Sequence, residues 1–131
     1  MQIYTTEIRG TAEDVVRALE EESASLNLVV LQKTNMRTKL WSKGIQFEGD
    51  YWVMELFDPN LSKKILSQYP NMGIYLPGKI AIYPRPDSHL VNVDLFLPTQ
   101  TASEEIPIVR PWLRSGERKL MELIKRVQGR L

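Results

Sequence analysis

Three ionisable residues carry the side chains that acid–base chemistry requires. Glu55 lies in the strand-like segment "YWVMELF" (51–57), whereas Lys79 and Asp94 lie in two later strand-like segments. If the two carboxylates and the ammonium group meet in a pocket, burial and opposite charge shift their pKa values and allow general acid–base catalysis. The simpler interpretation of the same residues is a cross-strand salt bridge between neighbouring strands.

The segment "GIYLPGKI" (73–80) has the spacing of a phosphate-binding P-loop, with a glycine, four residues and then Gly-Lys. A P-loop joins a strand to a helix, because backbone N–H groups and the helix dipole hold the phosphates. Here a helical pattern precedes the segment and a β-branched run follows it. Ile80 also replaces the metal-binding hydroxyl, and Pro77 lacks an N–H donor. The sequence therefore predicts no nucleotide site in this segment.

Residue types that bind metals or form nucleophiles are scarce, since the chain has no cysteine and one histidine. The absence of cysteine excludes a disulfide framework, a thiol nucleophile, a Cys-ligated zinc site and an iron–sulfur cluster. His89 follows Asp87 and Ser88 in a predicted turn, where adjacent residues cannot align as a catalytic triad. We therefore predict neither a metal site nor a cofactor.

Strand and helix patterns alternate along the chain and must position these residues. Strands are predicted at 2–8, 28–34 and 51–57, followed by a hairpin of two strands at 77–84 and 89–98. Helices are predicted at 11–27, 35–44, 58–69 and about 108–128. Asp58 as N-cap and Pro59 at the first helical position mark the third helix. This order predicts an α+β fold, a two-layer sandwich with helices on one face of a mainly antiparallel sheet.

Length and hydrophobicity indicate one domain over residues 1–131. A chain of 131 residues, 43% of them hydrophobic, is long enough to bury a core but too short for two ordinary domains. The first ten residues lack the apolar run of a signal peptide, and no later apolar run approaches the roughly 20 residues that cross a bilayer. We therefore expect a cytoplasmic protein without a membrane span.

Alternation within the predicted strands gives one conventional core face and one unusual face. The core face carries Trp52, Met54, Leu56, Ile80, Ile82, Val91, Val93 and Leu95. The opposite face carries four aromatic residues with polar groups among them, namely Tyr51, Phe57, Tyr83, Phe96, Glu55, Lys79, Asn92 and Asp94. A solvated sheet face is largely polar, so a mostly apolar one indicates an interface or a pocket. A dimer interface, a ligand pocket and a surface covered by the terminal helix all fit this pattern.

Charge is distributed unevenly between the first and last predicted helices. Residues 110–131 contain seven Lys or Arg and two Glu, whereas the first helix is acidic and the whole chain has a net charge of +1. A basic amphipathic helix can bind phosphates, and aromatic residues on a nearby sheet can stack on RNA bases. The balanced total instead indicates two solvated faces of opposite sign, which attract each other within or between subunits.

The residues from Glu55 to Pro98 resemble the family named domain of unknown function 302. The resemblance is carried by Asp58 and Pro59 at the helix start, then by Pro70, Gly73, Leu76 and Pro77. It covers roughly residues 5–99, with a looser match for the terminal helix. Members of that family often have a cysteine just before the Asp-Pro pair and a Cys-Arg pair after Leu-Pro. This chain has Phe57 and Gly78-Lys79 at those positions.

The resemblance implies a compact α+β sandwich of bacterial or archaeal type, which forms a homodimer and has no established activity. From the residues and this resemblance together, we expect a non-enzymatic module that binds a small molecule or a protein through the aromatic sheet face. The candidate binding residues are Tyr51, Glu55, Phe57, Lys79, Tyr83, Asp94 and Phe96. The alternatives are a small cofactor-independent enzyme that uses Glu55, Asp94 and Lys79, and a nucleic-acid-binding protein that uses the basic terminal helix.

Overall fold

A computed structural model describes residues 2–102 and 106–131 of the chain. The strands are β1 (Ile3–Arg9), β2 (Val29–Asn35), β3 (Trp52–Phe57), β4 (Gly78–Pro84) and β5 (Leu90–Phe96). The helices are α1 (Ala12–Ser23), α2 (Met36–Ser42), α3 (Pro59–Gln68) and α4 (Arg110–Arg130). Each predicted element is therefore present, with ends that differ by a few residues from the predicted ones.

The strands form one five-stranded sheet in the order β1-β5-β4-β3-β2, and every neighbouring pair is antiparallel. The register places Met54 opposite Ile80 and Ile82 opposite Val93, so the predicted core residues share one face. Met54, Ile80, Ile82 and Val93 are fully buried. The alternation that the sequence predicted is confirmed.

Helices α1 and α4 both pack on this core face. Their buried side chains join the strand residues in one hydrophobic cluster, to which α1 contributes Val15, Val16 and Leu19 and α4 contributes Leu123, Ile124 and Val127. The predicted α+β arrangement, with helices packed on one face of an antiparallel sheet, is confirmed. Because α4 lies on the core face, it does not cover the opposite face.

A second hydrophobic cluster surrounds α3 and the start of α4. It consists of Ile65, Met72, Ala102, Val109 and Leu113, all buried. Leu113 belongs to this cluster, whereas Leu120 on the same helix belongs to the first one. Helix α4 therefore connects the two clusters.

Two segments differ in detail from their predicted conformation. The first helix was predicted to reach residue 27, but α1 ends at Ser23 and continues as a 3₁₀ turn, Ala24–Leu26. The 3₁₀ turn ends at Leu26 because Asn27, which follows it, adopts a left-handed conformation with a φ of 56°. In "GIYLPGKI", a 3₁₀ turn (Pro70–Ile74) leads through a cis Leu76–Pro77 bond directly into β4. A strand follows the segment, as expected for a connection that is not a P-loop.

Opposite charges on α1 and α4 meet within the chain. Arg130 on α4 forms ion pairs with Glu21 at 3.0 Å and Glu22 at 3.1 Å on α1. Arg126 forms a further ion pair within α4, with Glu122 at 3.2 Å. The basic and acidic faces that the sequence predicted therefore attract each other inside one molecule. No helix in the described part of the chain is long and apolar enough to cross a membrane.

Asp58 begins α3 and also anchors α4. Its Oδ1 atom accepts hydrogen bonds from the backbone N–H groups of Asn60 at 3.1 Å and Leu61 at 3.2 Å, which confirms the predicted N-cap. Its Oδ2 atom accepts a 2.6 Å hydrogen bond from Nζ of Lys119. Burial alone would raise the pKa of Asp58, but the hydrogen bonds from Lys119 and the backbone outweigh it. The pKa therefore lies below its ordinary value of 3.8.

We predict that Asp58→Asn lowers the free energy of unfolding by about 1–2 kcal/mol at neutral pH, because it keeps a capping oxygen but loses the charge that pairs with Lys119. A lowered folded-state pKa stabilises the fold fully above the unfolded-state value of 3.8. This stabilisation is lost as the pH falls through the folded-state pKa, so wild type and variant converge there. Urea unfolding followed by tryptophan fluorescence over a pH series measures the difference.

The matched control is Asp87→Asn, because Asp87 is an exposed carboxylate in the turn between β4 and β5. Its stability difference from wild type should be small at every pH. A difference between wild type and Asp58→Asn that stays constant from neutral to acid pH would contradict the role of the charge.

Candidate functional site: the outer face of the sheet

The outer face is the side of the sheet opposite α1 and α4. Its central three strands place the following side chains on it: Tyr51 just before β3, Val53, Glu55 and Phe57 along β3, Lys79, Ala81 and Tyr83 along β4, and Asn92, Asp94 and Phe96 along β5. Except for Lys79, which is exposed, all of them are half-buried. The predicted set of candidate residues therefore shares one face of the sheet, although it divides between two ends of the strands.

Aromatic rings stack at one end of the outer face. The rings of Tyr51 and Tyr83 are parallel within 4°, with centroids 5.2 Å apart. Phe47, in the connection before β3, packs edge-on against Tyr51 at 6.4 Å. Such offset and edge-on contacts are the favoured arrangements of aromatic pairs. The stack fixes the two tyrosines as a rigid apolar surface.

Asp94 lies beside this stack and binds the hydroxyl of Tyr83. The Tyr83 hydroxyl donates a 2.7 Å hydrogen bond to Oδ2 of Asp94. The other oxygen, Oδ1, is buried and has no hydrogen-bond partner among the described residues. The hydrogen bond to Asp94 is the main cause that raises the pKa of Tyr83 above its ordinary value of 10.0, with burial adding to it. Asp94 therefore acts as the acceptor for a neutral tyrosine.

Glu55 and Lys79 are direct neighbours on β3 and β4, yet they do not pair. The register places them opposite each other. No ion pair joins either of them to another residue in the part of the chain that the structure describes. The cross-strand salt bridge that the sequence suggested is therefore not formed there. Both charges remain available on the outer face.

Phe57 and Phe96 lie at the other end of the strands. Their register partners are Val29 on β2 and Ile3 on β1, both more than 40% exposed. Both phenylalanines also border an apolar cavity that opens beneath the sheet between α3 and α4. Phe57 and Phe96 are thus separate from the tyrosine stack. The two phenylalanines border the apolar cavity, whereas Tyr51 and Tyr83 lie beside Phe47 and Asp94.

The sequence did not predict the buried carboxylate of Glu117. Glu117 is 5% exposed, and its two oxygens accept hydrogen bonds from the backbone N–H of Thr99 at 2.7 Å and from the Thr99 hydroxyl at 2.9 Å. These bonds attach α4 to the turn that follows β5. The helical spacing of the sequence does indicate that Glu117 is buried. It lies four residues after Leu113 and three before Leu120, on the apolar stripe of the helix.

The three candidate acid–base residues of the outer face do not line the apolar cavity. Asp94 is engaged by Tyr83, whereas Lys79 is exposed, and the apolar cavity is lined by neither of them nor by Glu55. Within residues 2–102 and 106–131, no cluster of three or more His, Asp or Glu side chains could hold a metal ion. The outer face therefore offers apolar surface, one tyrosine hydroxyl and unpaired charges of both signs.

Comparison with known proteins identifies the family. The sequence profile of the domain of unknown function DUF302 matches residues 4–127. The chain belongs to the DUF302 family. A crystal structure of an uncharacterised conserved DUF302 protein from Bacillus stearothermophilus has the same fold, with a TM-score of 0.87, 21% identity and coverage of 97% of this chain and 98% of that one. No functionally curated protein matches the chain. The match confirms the family resemblance that was seen in the residues around Asp58 and Pro59.

We predict that Asp94→Asn lowers the pKa of Tyr83 toward 10.0, because the charged acceptor that favours the neutral phenol is removed. A raised folded-state pKa stabilises the fold fully below the unfolded-state value, and this stabilisation is lost as the pH rises through the folded-state pKa. Phenolate absorbance during a base titration, with the Tyr83→Phe curve subtracted, measures the shift.

The control for this titration is Tyr4→Phe, since Tyr4 is a half-buried tyrosine on the core face. Its removal should leave the Tyr83 titration unchanged. An identical Tyr83 titration in wild type and Asp94→Asn would show that the hydrogen bond to Asp94 does not control this hydroxyl.

Proposed function

We propose that this DUF302 protein is a non-enzymatic binding module that forms a homodimer through the outer face. The observation that carries the proposal is one-sided packing, because α1 and α4 cover the core face and leave a half-buried apolar surface on the other side. A sheet face that meets water is largely polar. An apolar face with sparse charges is typical of an interaction surface. We also propose that the module is cytoplasmic, and the absence of cysteine is compatible with a reducing compartment.

The charged residues of the outer face support a second copy of the chain as its binding partner. In a two-fold dimer, each subunit presents the same patch, so the patch must complement itself. Glu55 and Lys79 satisfy this condition, since they are adjacent, opposite in charge and unpaired within the described chain. Face-to-face association lets Lys79 of each copy pair with an acidic residue of the other. The stacked Tyr51 and Tyr83 provide rigid aromatic area of the kind that anchors interfaces.

The two alternative functions have less support. A cofactor-independent enzyme needs its acid and base to converge on a substrate pocket, but Asp94 is occupied by Tyr83 and Lys79 is exposed. A nucleic-acid-binding helix needs free cations. On α4, Lys119, Arg126 and Arg130 form ion pairs with carboxylates of the same chain, so only part of the positive charge of the helix is free. Among the described residues, the basic side chains of α4 that make no ion pair include Arg114, Arg118 and Lys125. Self-association through the outer face requires neither a catalytic pocket nor the release of these ion pairs.

We predict that Lys79→Glu and Glu55→Lys each weaken the dimer, because each variant places like charges against each other across the two-fold axis. The dimer dissociation constant should rise by about tenfold in each, equivalent to roughly 1.4 kcal/mol. The double variant restores complementary charges and should return the constant to near the wild-type value. Analytical ultracentrifugation over a concentration series measures the association.

Two further variants distinguish a loss of association from a loss of folding. Ala81→Glu places a charge at the centre of the outer face, between Val53 and Asp94 on the neighbouring strands, and should be monomeric while retaining its circular dichroism spectrum. Ser67→Glu, on the exposed side of α3, should remain dimeric. A monomeric wild type at micromolar concentration would refute the homodimer, and a double variant as weak as the single ones would refute the charge pairing.

A further inference from the structure

A cleft that is open to solvent lies between α4 and the turn that follows β5. Its volume is about 270 Å³, and it is lined by Leu97 and Gln100 from the turn and by Arg114, Arg118 and Met121 from α4. Because α4 packs on the core face of the sheet, the cleft is separate from the outer face proposed for dimerisation.

Hydrogen bonds fix the two sides of the cleft relative to each other. Glu117, which also lines the cleft, accepts hydrogen bonds from the backbone N–H of Thr99 at 2.7 Å and from the Thr99 hydroxyl at 2.9 Å. Two turns earlier on α4, the guanidinium of Arg110 donates a 3.2 Å hydrogen bond to the Thr99 carbonyl. The backbone that forms the cleft is therefore already ordered, so a ligand does not have to order it on binding.

Two unpaired guanidinium groups give the cleft its positive charge. Arg114 and Arg118 are exposed, and neither forms an ion pair with a carboxylate in the described part of the chain. They are four residues apart on the helix, which places their Cβ atoms about 5–6 Å from each other on one side of α4. Both long side chains can therefore reach the same anionic group.

The charges that line the cleft favour a ligand with one negative charge. Arg114 and Arg118 supply two positive formal charges and Glu117 supplies one negative charge, so the described lining has a net charge of +1. One negative charge on a ligand neutralises this excess, whereas a second would lie near the Glu117 carboxylate without a counter-charge. The planar fork of a guanidinium matches the two oxygens of a carboxylate.

Apolar side chains line the cleft beside the two arginines. Leu97 and Met121 are half-buried and pack against the first hydrophobic cluster. A methionine side chain adapts its shape to the group that it contacts. The space of about 270 Å³ exceeds the roughly 150 Å³ that encloses a benzene molecule. The cleft therefore has room for an apolar group of that bulk together with a charged group, and one side of the ligand remains in water.

We propose that this cleft binds a small monocarboxylate whose apolar part has about six carbon atoms, the bulk of one benzene ring. The carboxylate lies between the guanidinium groups of Arg114 and Arg118, and the apolar part lies against Leu97 and Met121. The protein thereby has a site for a small organic anion in addition to its surface for a second copy.

The test is a titration of the isotope-labelled protein with sodium hexanoate, followed by NMR. We expect saturable shifts of the Met121 ε-methyl group and the Gln100 backbone amide, with a dissociation constant of about 1 mM for a ligand of about eight non-hydrogen atoms. The ε-methyl group of Met54, which is fully buried in the core, should not shift.

Three further compounds separate the contributions of charge and apolar contact. 1-Hexanol has a similar chain without the charge, and acetate has the charge without the chain, so each should bind at least tenfold more weakly than hexanoate. Hexyl phosphate carries a second negative charge and should bind no more tightly than hexanoate.

Variants of the basic residues on α4 give a matched comparison. Arg114→Gln and Arg118→Gln should each weaken hexanoate binding by about fivefold, the effect expected for loss of one exposed charge pair. Lys125→Gln removes an exposed, unpaired charge from the same side of α4, four residues after Met121, but Lys125 does not line the cleft. Its binding should equal that of wild type. The monomeric Ala81→Glu variant should also bind hexanoate as wild type does, which separates this site from the dimer proposal.

Four results would each overturn the proposal. They are shifts that do not saturate, equal binding of 1-hexanol, tighter binding of hexyl phosphate than of hexanoate, and arginine variants that bind hexanoate as tightly as Lys125→Gln does.

Discussion

Burial of a single face of the sheet beneath α1 and α4 is the constraint on which the other features depend. Side chains alternate between the faces of a strand, so a slip of one residue would move Ile80 and Ile82 from the core to the outer face. Full burial of each such side chain stabilises the fold by about 1.5–3 kcal/mol, and this fixes the register. The same alternation then obliges Tyr51, Tyr83 and Asp94 to lie on the face without α1 and α4.

The sequence predicted the fold well because its local signals agree with its tertiary contacts. Asp58 followed by Pro59 specifies a helix start by itself, and the period-two pattern of Ile80 and Ile82 specifies a buried strand face. The same pattern assigned the candidate residues to the correct face. It could not show how they divide along that face, because alternation gives the side of a strand and not the position along it. The separation of Tyr51 and Tyr83 from the two phenylalanines requires the register of three strands.

Charged residues were harder to interpret from the sequence, since their partners are distant in the chain. The adjacent strands made a bridge between Glu55 and Lys79 the simplest expectation, whereas the contacts that form join Lys119 to Asp58 and Arg130 to Glu21. These pairs span 61 and 109 residues. They depend on how α4 crosses both hydrophobic clusters, which no local pattern encodes. Glu117 was recognisable only as an acidic residue on an apolar stripe.

The strand order also determines when the chain can fold during its synthesis. β1 pairs with β5 and not with β2, so the first strand has no partner until the residues up to Phe96 have been made. α1 likewise packs against α4, which is synthesised after all five strands. Contacts this distant in sequence form slowly because the closure of long loops costs entropy. On the ribosome, the part of the apolar side of α1 that contacts α4 therefore stays unburied until α4 has emerged, and a chaperone has that interval in which to bind it.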